Sequence, residues 1–269
     1  MRFRLVLAIG AVLVLGDGPL AAGDFVVPVV LDVRSGTAHY LTELTLTNRG
    51  ATPAALTLEY RGSLGSAAGA VAESLPAATQ RTIPDVVGFL AARGVVFPGL
   101  AEGAPHAGTL RVSVPDGSAA HISILARTTS PTSAPHPSGA AGLAYLAVAP
   151  AAAFTGRAVV HGLRASASER SNLAVFNPGI APVTLRIVAA SGSGDGREAT
   201  VADGLALAPG EWRQVDGILA GAGVAQGWAV VERISGGSFG AYGVVNDGGT
   251  NDGSYLEAAA DGAVAPRVT

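Results

Sequence analysis

The stretch TELTLTNRGATPAALTLEY (residues 42–60) and its echo SNLAVFNPGIAPVTLRIVA (residues 171–189) decide how this chain reads. Each is an alternating apolar run, a turn carrying Asn-x-Gly and then Pro, and a second alternating run. Leu44 and Leu46 share one face, as do Leu56, Leu58 and Tyr60 after the turn. Leu173 and Val175 are answered by Leu185 and Ile187 in the echo. Period-2 alternation places one face of a strand in a core, and the Asn/Gly/Pro punctuation predicts that each stretch is a β-hairpin. Within the turn, Asn48 is suited to cap the backbone, Gly50 to take positive φ and Pro53 to set the return. Asn177, Gly179 and Pro182 stand in the same places 129 positions later. Two copies of one pattern predict an internal duplication.

Outward from these stretches the correspondence continues. Residues 24–31 are answered by 158–163, and 75–83 by 207–215, with Arg81 matching Arg213. An Asp follows in each copy (Asp85, Asp216), which predicts an Arg/Asp pair tying the strand to the next turn. Residues 85–92, an acidic residue before an apolar run, predict a short helix. Residues 108–114 with 121–128, and 227–234 with 240–245, read as a second hairpin in each copy. Residues 145–148 and 255–256 read as a last strand, and 63–71 and 130–140 as loops. The first copy is the longer, and its surplus falls near 94–107 and 130–140.

Composition agrees with strands rather than helices. Of 269 residues 49% are hydrophobic and only 14% charged, with 37 Gly and 16 Pro. The expected fold class is all-β: two tandem immunoglobulin-like antiparallel β-sandwich domains from an internal duplication, each with one short helical turn. The expected extents are a signal peptide (1–23), a first sandwich (24–153), a second (154–262) and a tail (263–269).

At the N-terminus, Arg2 and Arg4 precede an apolar segment at 5–15 and a small-residue exit at Ala21 and Ala22. These are the three parts of a secretory signal, and the apolar segment is too short to cross a bilayer. The mature chain is expected to be soluble, secreted or periplasmic or at the cell surface, with no membrane span. The signal, LTLTNRGATPAALTL with LPAATQRTIPDVV, and LAVFNPGIAPVTLRI with LAPGEWRQVDGI together resemble secreted bacterial proteins built of tandem immunoglobulin-like repeats. The resemblance covers nearly all of the chain after the signal. It implies fold and export, and brings no established activity and no catalytic residues.

Charge and residue usage narrow the chemistry. Net charge is −3, every basic residue is Arg, and no basic run exceeds a pair, so no nucleic-acid partner is expected. Zero Cys excludes disulfides, thiolate metal sites and a Cys nucleophile. A serine-hydrolase elbow needs G-x-S-x-G at a strand-to-helix turn; the loop SGSGDG around Ser193 reads instead as a hairpin tip. The five His (39, 106, 121, 136, 161) lack zinc-hydrolase spacing. The expectation is no enzyme.

Two candidate sites are left, both in the second copy. Trp212, Trp228, Tyr242 and Tyr255 are aromatics suited to stacking on sugar rings. Trp212 aligns with Gln80 and Trp228 with Thr109, which points to exposed or partly exposed positions; filling the core or the join between copies is the other reading. The loop NDGGTNDGS (246–254) offers Asp247, Asn251 and Asp252 as oxygen ligands for calcium, and is also ordinary turn chemistry. No other cofactor is expected. The expected function is an exported non-enzymatic protein acting through surface contacts, in adhesion, matrix or envelope scaffolding, on an extracellular protein or glycan surface. The alternative is a carbohydrate-binding module using the second-copy aromatics. Oligomeric state stays open.

Overall fold

A computed structural model of the protein describes residues 23–36, 38–114, 117–131, 139–250 and 252–262. Residues 1–22 of the expected signal, Pro115 and Asp116, residues 132–138 with His136, Asn251 and the tail from 263 lie outside the described residues.

The first unit comprises β1 (Asp24–Ser35), β2 (Ala38–Asn48), β3 (Ala54–Leu64), β4 (Ala68–Leu75), β5 (Thr79–Ile83), the helix α1 (Val86–Ala91), β6 (His106–Ser113), β7 (Ile122–Pro131) and β8 (Ala140–Leu146). The second comprises β9 (Arg157–Arg164), β10 (Glu169–Phe176), β11 (Val183–Ser191), β12 (Glu198–Leu207), β13 (Trp212–Val215), β14 (Gln226–Gly236), β15 (Gly240–Asp247) and β16 (Gly253–Ala260). In the first, β4-β3-β6-β1 form one layer and β5-β2-β7-β8 the other. Strand β1 joins the layers, pairing with β6 along most of its length and with β2 at its end. The second unit has the layers β12-β11-β14-β9 and β13-β10-β15-β16, so each strand takes the place of the one eight earlier. Strands β1, β6 and β3, and β2, β7 and β8, sit as B, E and D, and C, F and G, do in immunoglobulin sandwiches. β4 and β5 are added between D and E, one at the edge of each layer.

The 42–60 stretch is not a hairpin. β2 pairs with β5 and β7, and β3 pairs with β4 and β6, so the turn at 49–53 carries the chain from one layer to the other. The faces are as read: Leu44, Leu46, Leu56, Leu58 and Tyr60 are all buried. They meet across the core instead of side by side. Period 2 reports which side chains turn inward and is silent about which strand supplies the ladder bonds. For the same reason β6 and β7, and β14 and β15, are layer crossings where hairpins were expected. Consecutive strands that pair side by side are β1–β2, β3–β4, β7–β8, β11–β12 and β15–β16. The loop expected at 63–71 shrinks to residues 65–67, and SGSGDG does close β11 onto β12.

The crossing at 49–53 and its counterpart in the second unit are each fastened by an Asn. Asn48 is buried; its Oδ1 accepts from the Gly50 amide (2.8 Å), and its Nδ2 donates to the carbonyls of Thr52 (2.9 Å), Pro76 (3.1 Å) and Leu75 (3.2 Å). Asn177, fully buried, repeats this with Gly179 (2.9 Å), Ala181 (2.9 Å) and Leu207 (3.2 Å). One carboxamide thus ties two layer crossings together. Neither Gly50 nor Gly179 adopts positive φ. Glycine serves there because a Cβ would come within 3.0 Å and 3.2 Å of the respective Asn Oδ1.

The helix is as expected: Asp85 caps it by accepting from the Gly88 amide at 2.9 Å, and Val86, Val87 and Leu90 enter the core. Its counterpart at 216–223 is a run of turns with Ile218 and Leu219 buried. The Arg/Asp pair does not form. Arg81 binds Glu73 at 2.8 Å and lies over the Phe89 ring, while Arg213 binds Glu211 at 2.7 Å. The acidic residues are engaged locally, Asp85 by its cap and Asp216 by Gln214 at 2.6 Å.

Asn177→Ala leaves several buried backbone groups without their partner and should cost about 2 to 4 kcal/mol in urea unfolding. Thr57→Ala on the exposed face of β3 should stay within about 0.5 kcal/mol. An Asn177→Ala protein as stable as the control would show that the clamp does not hold the crossings.

Candidate functional site

Alternation on β2 leaves Glu43, Thr45 and Thr47 half-buried at the surface. At the matching places on β10 stand Asn172, Ala174 and Phe176, all buried. Tyr242 and Val244 on β15 continue that apolar face, which packs into the core of the first unit with Trp212 beside it. Hydrogen bonds fix the join. The Thr109 hydroxyl donates to the Gly210 carbonyl (2.7 Å), and the Trp212 amide donates to the Ser63 hydroxyl (2.7 Å). Arg111 reaches the Gly179 carbonyl (3.4 Å), and the Gly142 amide donates to Asp252 Oδ1 (3.2 Å). Gly210 is required at this contact. Its φ is +73°, and a Cβ would lie 2.7 Å from Arg61.

Beside this join the units part to form a cleft of about 740 Å³, within the size range of small-ligand sites. Its first-unit wall is largely aliphatic, with Val29, Leu31 and Val33 from β1 and Leu143 from β8. Its second-unit wall is polar, with Arg170, Asn172, Arg213, Gln214, Asp216 and Asn246. Tyr145, Trp212 and Tyr242 supply aromatic surface between the walls. The indole of Trp212 donates from Nε1 to the Tyr242 hydroxyl at 3.1 Å, which sets the plane of the Trp ring. Tyr242 stacks on Tyr145 (centroids 6.2 Å) and on Tyr255 (5.6 Å).

Tyr145 is anchored by a chain of hydroxyls. The Leu31 amide donates to Thr42 Oγ1 (3.0 Å), Thr42 contacts Thr128 (3.3 Å), Thr128 contacts the Tyr145 hydroxyl, and Tyr145 donates to the Val29 carbonyl (3.0 Å). Every hydroxyl in this order gives one bond and takes one. The chain starts and ends on β1, where that strand leaves one layer for the other and its backbone groups need partners.

Among the sequence-predicted residues, Trp212 and Tyr242 line the cleft and touch each other. Tyr255 is about one-third exposed and stacks behind Tyr242. Trp228 is elsewhere, half-buried on β14 opposite Ala190 of β11. Trp212 is also half-buried, because the face that is open in the first unit is covered in the second. Asp247 has one carboxylate oxygen engaged within its own loop. The Thr250 amide (2.7 Å), the Thr250 hydroxyl (2.9 Å) and the Gly249 amide (2.9 Å) all donate to its Oδ1. These bonds, the Thr250 amide first, hold its carboxyl below the ordinary Asp value. Asp252 accepts from the amides of Gly142 and Gly253, and Asn251 is outside the described residues. Among the described residues no group of three or more His, Cys, Asp and Glu is placed to hold a metal.

Sequence reading missed Tyr145, Ser130 and Arg170, all of which line the cleft. No motif marks them, since each becomes notable only when the units meet. It also passed over GGSFG (236–240), which has the G-x-S-x-G spelling. Those residues join β14 to β15, so no strand-to-helix elbow exists there. None of the His lines the cleft among the described residues; His39 binds Asp32 at 2.7 Å and His106 is buried beside Phe97. The chain matches no protein-family profile and no curated protein sequence.

Burial raises the phenols of Tyr145 and Tyr255 to about 12 and that of Tyr242 well above its ordinary value. The folded protein therefore keeps protons that the unfolded chain releases near pH 10. Stability from these groups is intact below about pH 10 and falls as pH rises through about 12. In an alkaline titration followed by phenolate absorbance, these tyrosines should ionise together with unfolding. Tyr145→Phe should shrink that late phase; its ionisation near pH 10 in the still-folded protein would refute the placement.

Proposed function

We propose that this is an exported, non-enzymatic binding protein that acts by contact, and that the contact is a saccharide chain held in the cleft between two duplicated sandwich units. The observation that carries this reading is Trp212, half-buried at the cleft with its ring plane set by Tyr242. A flat apolar face of this kind matches the C–H face of a pyranose. In the same cleft, Asn172, Gln214, Asn246 and the two Arg offer planar polar groups that pair with sugar hydroxyls. The opposite aliphatic wall excludes water from the ring.

The absence of an enzyme role is supported by the make-up of the wall. Glycoside hydrolysis uses a pair of carboxylates, and among the described lining residues Asp216 stands as the sole acid. Export is supported by the N-terminal pattern, and duplication by the two copies sharing one strand order and one Asn clamp. An extracellular glycan, on a cell or in a matrix, is the partner this combination describes.

The test is a glycan array followed by calorimetry on the best hits. The protein should bind a defined oligosaccharide. Gln214→Ala and Trp212→Ala should each weaken it, the latter by roughly tenfold or more, and Trp228→Ala should leave it unchanged. Binding of no saccharide, or equal losses at Trp212 and Trp228, would overturn the proposal.

A further inference from the structure

We infer that the saccharide taken by the cleft is acidic, carrying a carboxylate or sulfate that seats against Arg170; this rests on the saccharide reading above and narrows it. Arg170 is exposed on β10 and lines the cleft, and its guanidinium makes no hydrogen bond or ion pair to any described residue. The other cleft arginine is different. Arg213 is held by Glu211 through both Nε and a terminal nitrogen, each at 2.7 Å. Asp216, the acid of the wall, already accepts from Gln214. The charged groups facing the cleft are thus two guanidiniums against one carboxylate, and one guanidinium has its donors uncommitted. A guanidinium presents paired N–H groups that fit an oxyanion with two oxygens.

A second observation comes from the opposite wall. Ser130, on β7, is 2% exposed and lines the cleft, yet its hydroxyl has no hydrogen-bond partner among the described residues. A buried hydroxyl without a partner is unfavourable in the empty protein. A ligand with a polar group reaching this wall removes that penalty on binding. The cleft thus offers an aromatic face to one ring, a hydroxyl on one side and a free cation on the other. A chain of several sugars that includes an acidic one carries groups for all three.

Calorimetry on the full chain with an oligogalacturonate, its fully methyl-esterified form and a sulfated oligosaccharide of similar length tests this. One charged chain should bind roughly tenfold tighter than the esterified one, and added salt should erase the difference. Arg170→Gln should abolish that preference, bringing the charged chain to the affinity of the esterified one. Ser130→Ala should weaken binding several-fold without lowering the melting temperature, which a structural role would lower. Equal binding of charged and neutral chains, or an Arg170→Gln protein with its preference intact, overturns this inference and leaves the saccharide reading standing. If neither charged nor neutral saccharides bind, the saccharide reading fails and this inference fails with it. A Ser130→Ala protein with a lowered melting temperature and unchanged affinity would remove Ser130 from the site.

Discussion

Burial of the outer face of β10 and β15 is the constraint on which the arrangement of the two units depends. An edge-to-core sandwich ordinarily leaves the outer face of each layer to water, and the first unit does so with Thr45, Thr47 and Gln80. In the second, Ala174, Phe176, Tyr242 and Val244 occupy that face, and such a patch must be covered. The first unit covers it, and the two hydrophobic regions merge into one cluster. The cleft follows from this contact. Beside the contact the two units part, and the parted surfaces are those that line the candidate site.

Polar bookkeeping inside each unit obeys the same logic. A sandwich in which successive strands change layers exposes backbone groups at each crossing. Asn48 and Asn177 meet that need at one end with carboxamides that bond both to their own turn and to the next crossing. The Thr42–Thr128–Tyr145 chain meets it where β1 changes partners. That same chain holds Tyr145 against Tyr242, so a device that satisfies the first unit's backbone also shapes the aromatic surface between the units.

The proposed activity lies in the differences between copies. Turn residues recur because the backbone requires them, so Asn, Gly and Pro at matching positions report the fold. Trp212 in place of Gln80 reports the docked face, and Arg170 and Gln214 become a wall only because the first unit stands opposite. The proposed site lies at the join, where each unit contributes what the other lacks: an aliphatic wall from one and planar polar groups from the other.

Much of the fold was legible in the chain. The alternation at 42–60 and 171–189 identified the buried side chains, Asp85 identified the helix start, and the order of segments identified two alike units of strands. Those signals are local, carried by periodicity and by side chains that bond their own backbone. The pairing of β2 with β5 and β7, the crossing in place of a hairpin, and the partners of Arg81 and Arg213 were decided by the tertiary structure. So was the site. Period 2 cannot distinguish a neighbour in the same sheet from one across the core, and no sequence spacing records that Ser130 and Arg170 face one cleft. Local physics determined which residues turn inward; long-range packing of one sandwich on the other determined what they meet.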